Sequence, residues 1–356
     1  MDPVPILRRL VAISSENPDT DCRRIAAYVA DFIRQRTAAR LIRQKTPDGN
    51  VNIIAKFGRP RFFINAHLDT VPRSGNKPNA PLKLKKNGGR LYGLGTTDVK
   101  GAIACLLDAL ATEPPKNLMV IFSSDEEAGA NSGIETFLAS SLARGLEAGI
   151  VTEPTGLNIV RYHSGIANFE ISFPGKAAHS ADPEKGVNAI ERAAEYIMKL
   201  SRYKKTLRRF RSGRMWPTLN IAIIKGGIKS NIVPDQCSLK VNFRYPPGLA
   251  PEQLLRDLKN LARDPAISVK AAYIAPPLQS NILTAAVIRR LRAAGAMTVR
   301  AGVNYWSEAA LFDRAGIPAV VFGPGDIAQA HAAAEFIRCA DLLKGIAVYR
   351  ALFKQL

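Results

Sequence analysis

The sequence predicts an α/β fold, a mostly parallel sheet with helices on both faces, that carries an inserted α+β domain. Three observations support this class. Short apolar runs alternate with helix-like segments near both ends of the chain, which is typical of parallel strands joined by helices. In the middle of the chain, apolar and polar residues alternate with a period of two, which is typical of a sheet with one buried face. The length of 356 residues favours about two domains of roughly 150 residues each.

The elements of the larger domain follow from helical periodicity and from continuous apolar runs. A first helix is predicted over 20–35, behind Thr20 as a candidate N-cap, with Ile25, Val29, Phe32 and Ile33 on its apolar side. The other predicted elements are strands at 62–64, 118–122, 148–151 and 318–322, and helices at 101–110, 132–142 and 335–353.

The inserted domain is predicted from alternating strands around 169–173, 219–223 and 236–244. Two helices accompany them, one over 186–200 between the first two strands and one over 251–262 after the third. The apolar face predicted for the first of these helices consists of Val187, Ile190, Ala194 and Ile197. The order β-α-β-β-α-β is that of a small α+β sandwich. We therefore predict a larger domain made of residues 1–164 and 278–356, with residues 165–277 inserted into it.

The composition limits the class of protein. Hydrophobic residues make up 47% of the chain and charged residues 22%, which excludes a chain too polar to form a core. No run of about 18 apolar residues occurs, so no membrane span is predicted. Asp2 and the pair Arg8–Arg9 argue against a secretory signal, so we expect a cytoplasmic protein. The cysteines are far apart and form no CxxC pair, which favours a reducing compartment: Cys22, Cys105, Cys237 and Cys339.

The basic excess has a simple interpretation. The net charge is +20, and seven Lys or Arg residues fall within 202–214. No helix-turn-helix, zinc-finger or RNP-type motif accompanies them, so we predict a solvated basic loop and no nucleic-acid partner. Attraction of a carboxylate-bearing substrate is a further interpretation of the charge.

Metal-capable side chains follow several apolar runs. The segments are INAHLDTVP with His67 and Asp69, YGLGTTDVKG with Asp98, FSSDEEAG with Glu126 and Glu127, VTEPTG with Glu153, and GPGDIAQAH with His331. The successive steps are 31 residues from His67 to Asp98, 29 from Asp98 to Glu127 and 26 from Glu127 to Glu153, each about one βα unit. Parallel strands deliver such side chains to one edge of the sheet.

Clustered carboxylates favour a cation site, because like charges in a cleft resist joint ionisation. Imidazole and carboxylate donors without thiolate suit zinc, with cobalt or manganese as alternatives. Taken singly, each motif has an ordinary structural interpretation, such as a local hydrogen-bonded pair at His67 and Asp69, a helix cap at Asp98 or a turn at Glu153. Their joint occurrence at βα spacing favours a metal centre.

These segments resemble the di-zinc amidohydrolases that include acetylornithine deacetylase, succinyl-diaminopimelate desuccinylase and aminoacylases. HLDTVP, GLGTTDVKG, DEE and EPT occur in the family's order, and the resemblance covers nearly the whole chain. It implies a zinc-peptidase-like catalytic domain that binds two Zn²⁺ per subunit, with Co²⁺ as an alternative. His67 and Glu153 would bind one metal, Glu127 and His331 the other, and Asp98 would bridge them. Asp69 would orient the His67 ring, and Glu126 would be the general base.

The resemblance also implies roles within the inserted domain, which would be a lid and dimerisation domain. His179 of AAHSAD would reach the active site of the partner in a homodimer and stabilise an oxyanion. Asn231 and Arg244 would contact the substrate carboxylate; Arg244 lies on the polar face of its predicted strand, where an exposed salt bridge is the alternative. His163 is expected to be structural.

The expected activity is hydrolysis of the acyl amide of an N-acyl-L-amino acid, first of all N2-acetyl-L-ornithine, which would place the protein in arginine biosynthesis. The alternatives are an acetylcitrulline deacetylase, a succinyl-diaminopimelate desuccinylase and a related metallo-dipeptidase. A more remote alternative is a catalytically inactive basic binding protein, but the presence of all five proposed ligands argues against it.

Overall fold

The computed structural model describes residues 3–17, 21–72, 82–127, 129, 131–297, 299–300 and 302–356. The chain divides into two compact units. The first comprises Met1–Arg161, Ser280–Arg300 and Ser307–Leu356, and the second comprises Tyr162–Gln279 and Ala301–Trp306. The segment 165–277 lies within the second unit. Thr20, the candidate N-cap, lies outside the described residues.

The helices and strands of the described residues are as follows. The helices are α1 (Val4–Ala12), α2 (Arg23–Arg36), α3 (Lys100–Thr112), α4 (Ser132–Ala139), α5 (Ala189–Thr206), α6 (Pro251–Ala262), α7 (Ala285–Ala293), α8 (Ala309–Arg314) and α9 (Cys339–Phe353). The strands are β1 (Arg40–Lys45), β2 (Val51–Phe57), β3 (Phe62–His67), β4 (Lys85–Asn87), β5 (Arg90–Tyr92), β6 (Leu118–Ser123), β7 (Ala148–Val151), β8 (Ile159–Val160), β9 (Tyr162–His163), β10 (Gly165–Pro174), β11 (Thr218–Gly226), β12 (Gln236–Tyr245), β13 (Ser268–Ala275), β14 (Leu278–Gln279), β15 (Val299–Arg300), β16 (Ala319–Val321) and β17 (Phe336–Arg338).

The first unit is built on an eight-stranded mixed sheet in the order β1-β2-β6-β3-β7-β16-β8-β15. Its centre is parallel, because β3 pairs in parallel with both β6 and β7, and β7 pairs in parallel with β16. The β1–β2 hairpin and the β2–β6 pairing are antiparallel. Beyond β16, the pairing with β8 is antiparallel and that of β8 with β15 is parallel. The α/β class is therefore confirmed, with a mixed sheet.

Successive residues of β3 show why this sheet is covered on both faces, because neighbouring side chains in a strand point to opposite sides. Ile64 packs into a core shared with α3 and α9. On the other face, the ring of Phe63 stacks on Phe312 of α8 at a centroid distance of 4.1 Å, and Phe312 lies 6.1 Å from Phe137 of α4. Two apolar layers thus fix the central strands.

Two predicted helices of the first unit end or begin differently. The helix predicted over 132–142 stops at Ala139, and a short 3-10 turn, Ser141–Ala143, follows it. The last helix begins at Cys339 rather than at residue 335, because Phe336–Arg338 form β17, an antiparallel partner of β5.

The second unit is a four-stranded antiparallel sheet in the order β11-β12-β10-β13, with α5 and α6 packed against it. Its chain order, β10-α5-β11-β12-α6-β13, is the β-α-β-β-α-β pattern expected from the sequence. Alternation holds along β12, where Cys237, Leu239, Val241 and Phe243 are buried. It fails in β11, because a register shift between Ile221 and Ile223 leaves Ile223 42% exposed.

The buried face of α5 also differs from the predicted one, and that prediction was wrong. Asn188 caps the helix, its side chain accepting from the N–H groups of Ile190 and Glu191, so Val187 lies before the helix. The buried stripe is Ala189, Ala193, Tyr196, Leu200 and Tyr203. A hydropathy pattern treats tyrosine as polar, although a tyrosine can be buried when its hydroxyl finds a hydrogen-bond partner. The hydroxyl of Tyr196 donates to Leu258 O at 2.8 Å, and that of Tyr203 donates to Asp257 at 2.6 Å.

No helix within the described ranges has both the length and the apolar character needed to cross a bilayer.

The corrected face of α5 gives a matched test on adjacent alanines. Ala193 is fully buried, whereas Ala194 is exposed. We expect Ala193→Glu to lower the free energy of unfolding by about 3 kcal/mol or more, because it buries an unpaired charge, and Ala194→Glu to change it by less than about 0.5 kcal/mol. Both tryptophans, Trp216 and Trp306, belong to the second unit, so their fluorescence during urea unfolding reports on it. Equal destabilisation by the two variants would contradict the observed face.

Candidate active site

Most of the predicted metal ligands follow neighbouring parallel strands of the large sheet. His67 ends β3, Glu127 follows β6 and Glu153 follows β7. His331 comes after β16 and a short 3-10 turn. Because β6, β3, β7 and β16 are adjacent and parallel, their carboxyl ends meet at one edge of the sheet, where open α/β sheets bind ligands.

The close approach of β7 and β16 at this edge depends on a glycine. A Cβ on Gly323, two residues past β16, would lie 2.7 Å from the carbonyl oxygen of Glu153. A side chain at this position would displace the backbone that carries Glu153. Glycine is therefore part of how the site is assembled.

Asp98 reaches the same edge by a different route from the one predicted. It does not end a strand of the large sheet; it lies in the turn between β5 and α3, followed by a cis peptide bond to Val99. The carboxylate of Asp98 contacts both histidines: Oδ1 lies 3.1 Å from Nε2 of His67, and Oδ2 lies 3.4 Å from Nε2 of His331. Asp98 therefore sits between the two imidazoles.

The donor atoms form two overlapping groups. In one, a donor atom from each of His67, Asp98 and Glu153 lies within 4.8 Å of the others; in the second, the same holds for Asp98, Glu127 and His331. Nε2 of His331 is 3.1 Å from Oε1 of Glu127. Asp98 belongs to both groups, as expected of a ligand shared between two cations. A further group, His67, Glu126 and Glu127, meets the same distance limit and places the Glu126 carboxylate beside the ligands.

Asp69 is fully buried and holds several groups of the site. Nδ1 of His67 lies 3.1 Å from the backbone oxygen of Asp69 and 3.4 Å from its carboxylate. The same carboxylate accepts from the backbone N–H groups of Glu126, at 3.2 Å, and Glu127, at 2.8 Å, and from the side chain of Asn17 at 3.1 Å. Asp69 therefore positions the 126–127 turn as well as the His67 ring.

The acids of the site repel one another. Burial raises the pKa of Glu126 and of Glu153 well above the usual range; the charge of Glu127 adds to the first shift and that of Asp98 to the second. The pKa of Glu127 is also raised, again chiefly by burial. Burial raises the pKa of Asp98 too, but hydrogen bonds with His331 and His67 outweigh it and lower the pKa.

The histidines show the complementary effect. Burial lowers the pKa of His67, but its hydrogen bonds with Asp69 and Asp98 and the nearby negative charges raise it well above its ordinary value. Hydrogen bonds with Asp98 and Glu127 raise the pKa of His331 to about 10. The site thus attracts positive charge strongly, because it holds more carboxylates than the imidazoles can balance.

These features fit divalent cations. The donors are imidazole nitrogens and carboxylate oxygens, the set that zinc and related ions accept. Within each group the donor atoms lie within 4.8 Å of one another, and the carboxylates carry a charge that cations would neutralise.

Two further buried acids near the site were missed by the sequence analysis. Glu335 accepts from three backbone N–H groups of the segment that carries Asp98. Glu308 accepts from Asn65 at 2.6 Å and from Ser123 at 2.8 Å, beneath the ends of β3 and β6. Burial raises the pKa of Glu335 to about 7 and that of Glu308 to about 8. Glu308 could have been noticed as a single acid within the apolar run WSEAALF, but no pattern distinguishes Glu335.

The other predicted site residues lie in the second unit. His179 and Asn231 are exposed and close to each other in the fold, since His179 bridges Ile232 and the N–H of Ser180 donates to Asn231 O at 3.1 Å. Arg244 is partly buried on β12, opposite Thr218 on one side and Ile166 on the other. His163 is fully buried and its Nδ1 lies 3.0 Å from Ser164 O, in line with a structural role.

Comparisons with known proteins agree with this architecture. The model of peptidase family M20/M25/M40 matches residues 63–355. An N-acetyl-L-citrulline deacetylase of Xanthomonas campestris pv. campestris is 34% identical over 346 residues, which cover 94% of this chain and 93% of that protein. An acetylornithine deacetylase of Myxococcus xanthus is 35% identical over 302 residues, which cover 82% of this chain and 79% of that protein.

A solved structure shares the fold. The M20 family metallo-carboxypeptidase Sso-CP2 of Sulfolobus solfataricus superposes with a TM-score of 0.80 at 17% identity, over 99% of each chain. The family model covers most of the chain, and the two deacetylases share about a third of the aligned residues, so the resemblance inferred from the motifs is confirmed. The chain belongs to the M20/M25/M40 peptidase family.

Proposed function

We propose that the protein is a di-zinc amidohydrolase that binds two Zn²⁺ per chain and accepts Co²⁺ in their place. His67 and Glu153 would bind one ion, Glu127 and His331 the other, and Asp98 would bridge them. The observation that carries this proposal is the pair of overlapping donor groups that share Asp98. The raised pKa values of Glu126, Glu127 and Glu153 support it, because burial and the neighbouring acids disfavour the ionised carboxylates and bound cations would favour them.

The proposed reaction is hydrolysis of the acyl amide of an N-acyl-L-amino acid. The first candidate is N2-acetyl-L-ornithine, converted to L-ornithine and acetate, which would place the protein in arginine biosynthesis in the cytoplasm. The acetylornithine deacetylase of Myxococcus xanthus supports this choice. N-acetyl-L-citrulline is the second candidate, because the N-acetyl-L-citrulline deacetylase of Xanthomonas campestris aligns over 94% of this chain.

Glu126 would be the general base. Divalent cations bound at the site lower the pKa of water towards about 7 and polarise a carbonyl group. Glu126 would take a proton from the attacking water, whose oxygen forms the new bond to the acyl carbon. The carbon–nitrogen bond then breaks, and Glu126 returns the proton to the leaving nitrogen. The position of Glu126 supports this role, because one of its carboxylate oxygens lies within 4.8 Å of donor atoms of His67 and Glu127.

Residues of the second unit would complete the site in a homodimer in which this unit serves as lid and dimerisation domain. The N–H of Ala181 donates to Nδ1 of His179 at 3.1 Å, so the neutral ring carries its proton on Nε2. That N–H would stabilise the oxyanion in the partner's site, and Asn231 and Arg244 would bind the substrate carboxylate. A protein that is monomeric in solution yet fully active would contradict the role of His179 across the dimer.

Replacing Glu126 separates catalysis from metal binding. We expect Glu126→Gln to lower kcat by about 10²- to 10⁴-fold, because the amide cannot accept the proton, while the zinc content per chain stays unchanged. Glu135→Gln is a matched control, since Glu135 is an exposed acid of α4 that pairs with Arg314. Turnover by Glu126→Gln close to that of the control would show that another group is the base.

A substrate series tests the chemical class. We expect the zinc-loaded protein to show its highest kcat/KM with N2-acetyl-L-ornithine, compared with N-acetyl-L-citrulline, N-succinyl-diaminopimelate and a simple dipeptide, in one assay of amine release. A kcat/KM more than about tenfold higher for acetylcitrulline would replace the first candidate by the second, since a tenfold ratio is about 1.4 kcal/mol of transition-state binding. A preference for the succinyl substrate or for the dipeptide would overturn both.

A further inference from the structure

Glu335 is a buried acid that the proposed reaction does not use. Its side chain is only 2% exposed. Oε2 accepts from the backbone N–H of Gly95 at 2.7 Å, and Oε1 accepts from those of Thr97, at 2.8 Å, and Asp98, at 3.1 Å. One carboxylate therefore serves as acceptor for the turn that ends in Asp98.

The same two segments are joined at further points. The N–H of Gly93 donates to the backbone oxygen of Glu335 at 3.1 Å, and the hydroxyl of Thr97 donates to the backbone oxygen of Phe336 at 2.7 Å. Next to these bonds, β17 pairs with β5 in the register Phe336 to Tyr92. The segment 93–98 is thus bound at four of its residues to Glu335 and Phe336.

The segment 93–98 needs such an acceptor because it is irregular and buried. Buried backbone N–H groups must find a partner, and strand pairing stops at Tyr92. The turn is also tightly packed: Gly95 has φ of +76°, and a Cβ there would lie 2.7 Å from Cγ2 of Thr70. A carboxylate provides two acceptor oxygens whose bonds to N–H are stronger than those of a neutral group.

The position of Glu335 in the chain connects two proposed ligands. It lies four residues after His331, so the segment that supplies His331 also fixes the backbone of Asp98. We propose that Glu335 is a positioning residue. It holds Asp98 close to His331 and thereby determines the affinity of the site for the cation assigned to Glu127 and His331. This inference rests on the proposed metal centre. In it, Glu335 itself binds neither metal nor substrate.

Metal titration separates this role from simple stabilisation. Chelator-treated protein is titrated with Co²⁺ alone, and binding is followed by the visible absorption of the bound ion. We expect the wild-type chain to bind two equivalents and Glu335→Gln to bind at least one of them about 10- to 100-fold more weakly, the usual cost of losing a group that orients metal ligands. The glutamine side chain has the same shape as glutamate. Its NH₂ group is a donor and cannot accept from the backbone N–H groups, so at least one hydrogen bond to the 93–98 segment is lost.

Asp108→Asn is the matched control. Asp108 is a fully buried acid on α3 that accepts from Arg350 at 2.6 Å, away from the 93–98 segment. We expect both variants to lower the urea midpoint of the metal-free protein, and only Glu335→Gln to weaken Co²⁺ binding. Equal Co²⁺ affinities for wild type and Glu335→Gln would overturn the inference and leave Glu335 a purely structural acid.

A milder variant covers the case in which Glu335→Gln does not fold. Thr97→Val removes only the hydroxyl that donates to Phe336 O, so we expect a smaller loss of Co²⁺ affinity in the same direction. Unchanged affinity in Thr97→Val, with Glu335→Gln unfolded, would also count against the inference. A wild-type chain that binds no pair of Co²⁺ ions would instead contradict the proposed function itself.

Discussion

Mutual repulsion among buried carboxylates is the constraint on which this structure depends. Glu126, Glu127 and Glu153 converge with Asp98 at one edge of the sheet. Burial first, and then the charges of neighbouring acids, raise the pKa values of the three glutamates. The two imidazoles offset part of the charge, and Asp98 lies between them. Holding ionised carboxylates this close together costs free energy unless cations neutralise them. The large sheet therefore positions acidic side chains close to one another.

Other buried carboxylates accept hydrogen bonds from the backbone near the acids of the candidate site. Asp69 accepts from the N–H groups of Glu126 and Glu127, and Glu335 accepts from the turn that carries Asp98. Asp125, next to Glu126, accepts from Ser132 and Gly133 at the start of α4. Three of the proposed site residues, Asp98, Glu126 and Glu127, thus donate their backbone N–H groups to buried acids.

Much of the candidate site could be predicted from the sequence, because metal-capable residues follow the predicted strands at intervals of about one βα unit. His67, Glu127 and Glu153 were expected at one edge of a sheet and lie there. Asp98 was expected at a strand end but lies in a turn, since no local pattern shows that Glu335 replaces strand pairing there. The face of α5 was missed for a related reason: buried tyrosines satisfied by distant partners look polar in a hydropathy pattern. Long-range hydrogen bonds are the part of the fold that periodicity does not show.

The central claim is that the protein holds a pair of cations with Asp98 between them. The most direct measurement is anomalous X-ray diffraction at the zinc edge from crystals grown with Zn²⁺. We expect two anomalous peaks per chain, about 3.5–4 Å apart as in other two-metal sites. One peak should lie beside His67 and Glu153 and the other beside Glu127 and His331, with the Asp98 carboxylate in contact with both. A single peak, or a pair of peaks that does not contact Asp98, would contradict it.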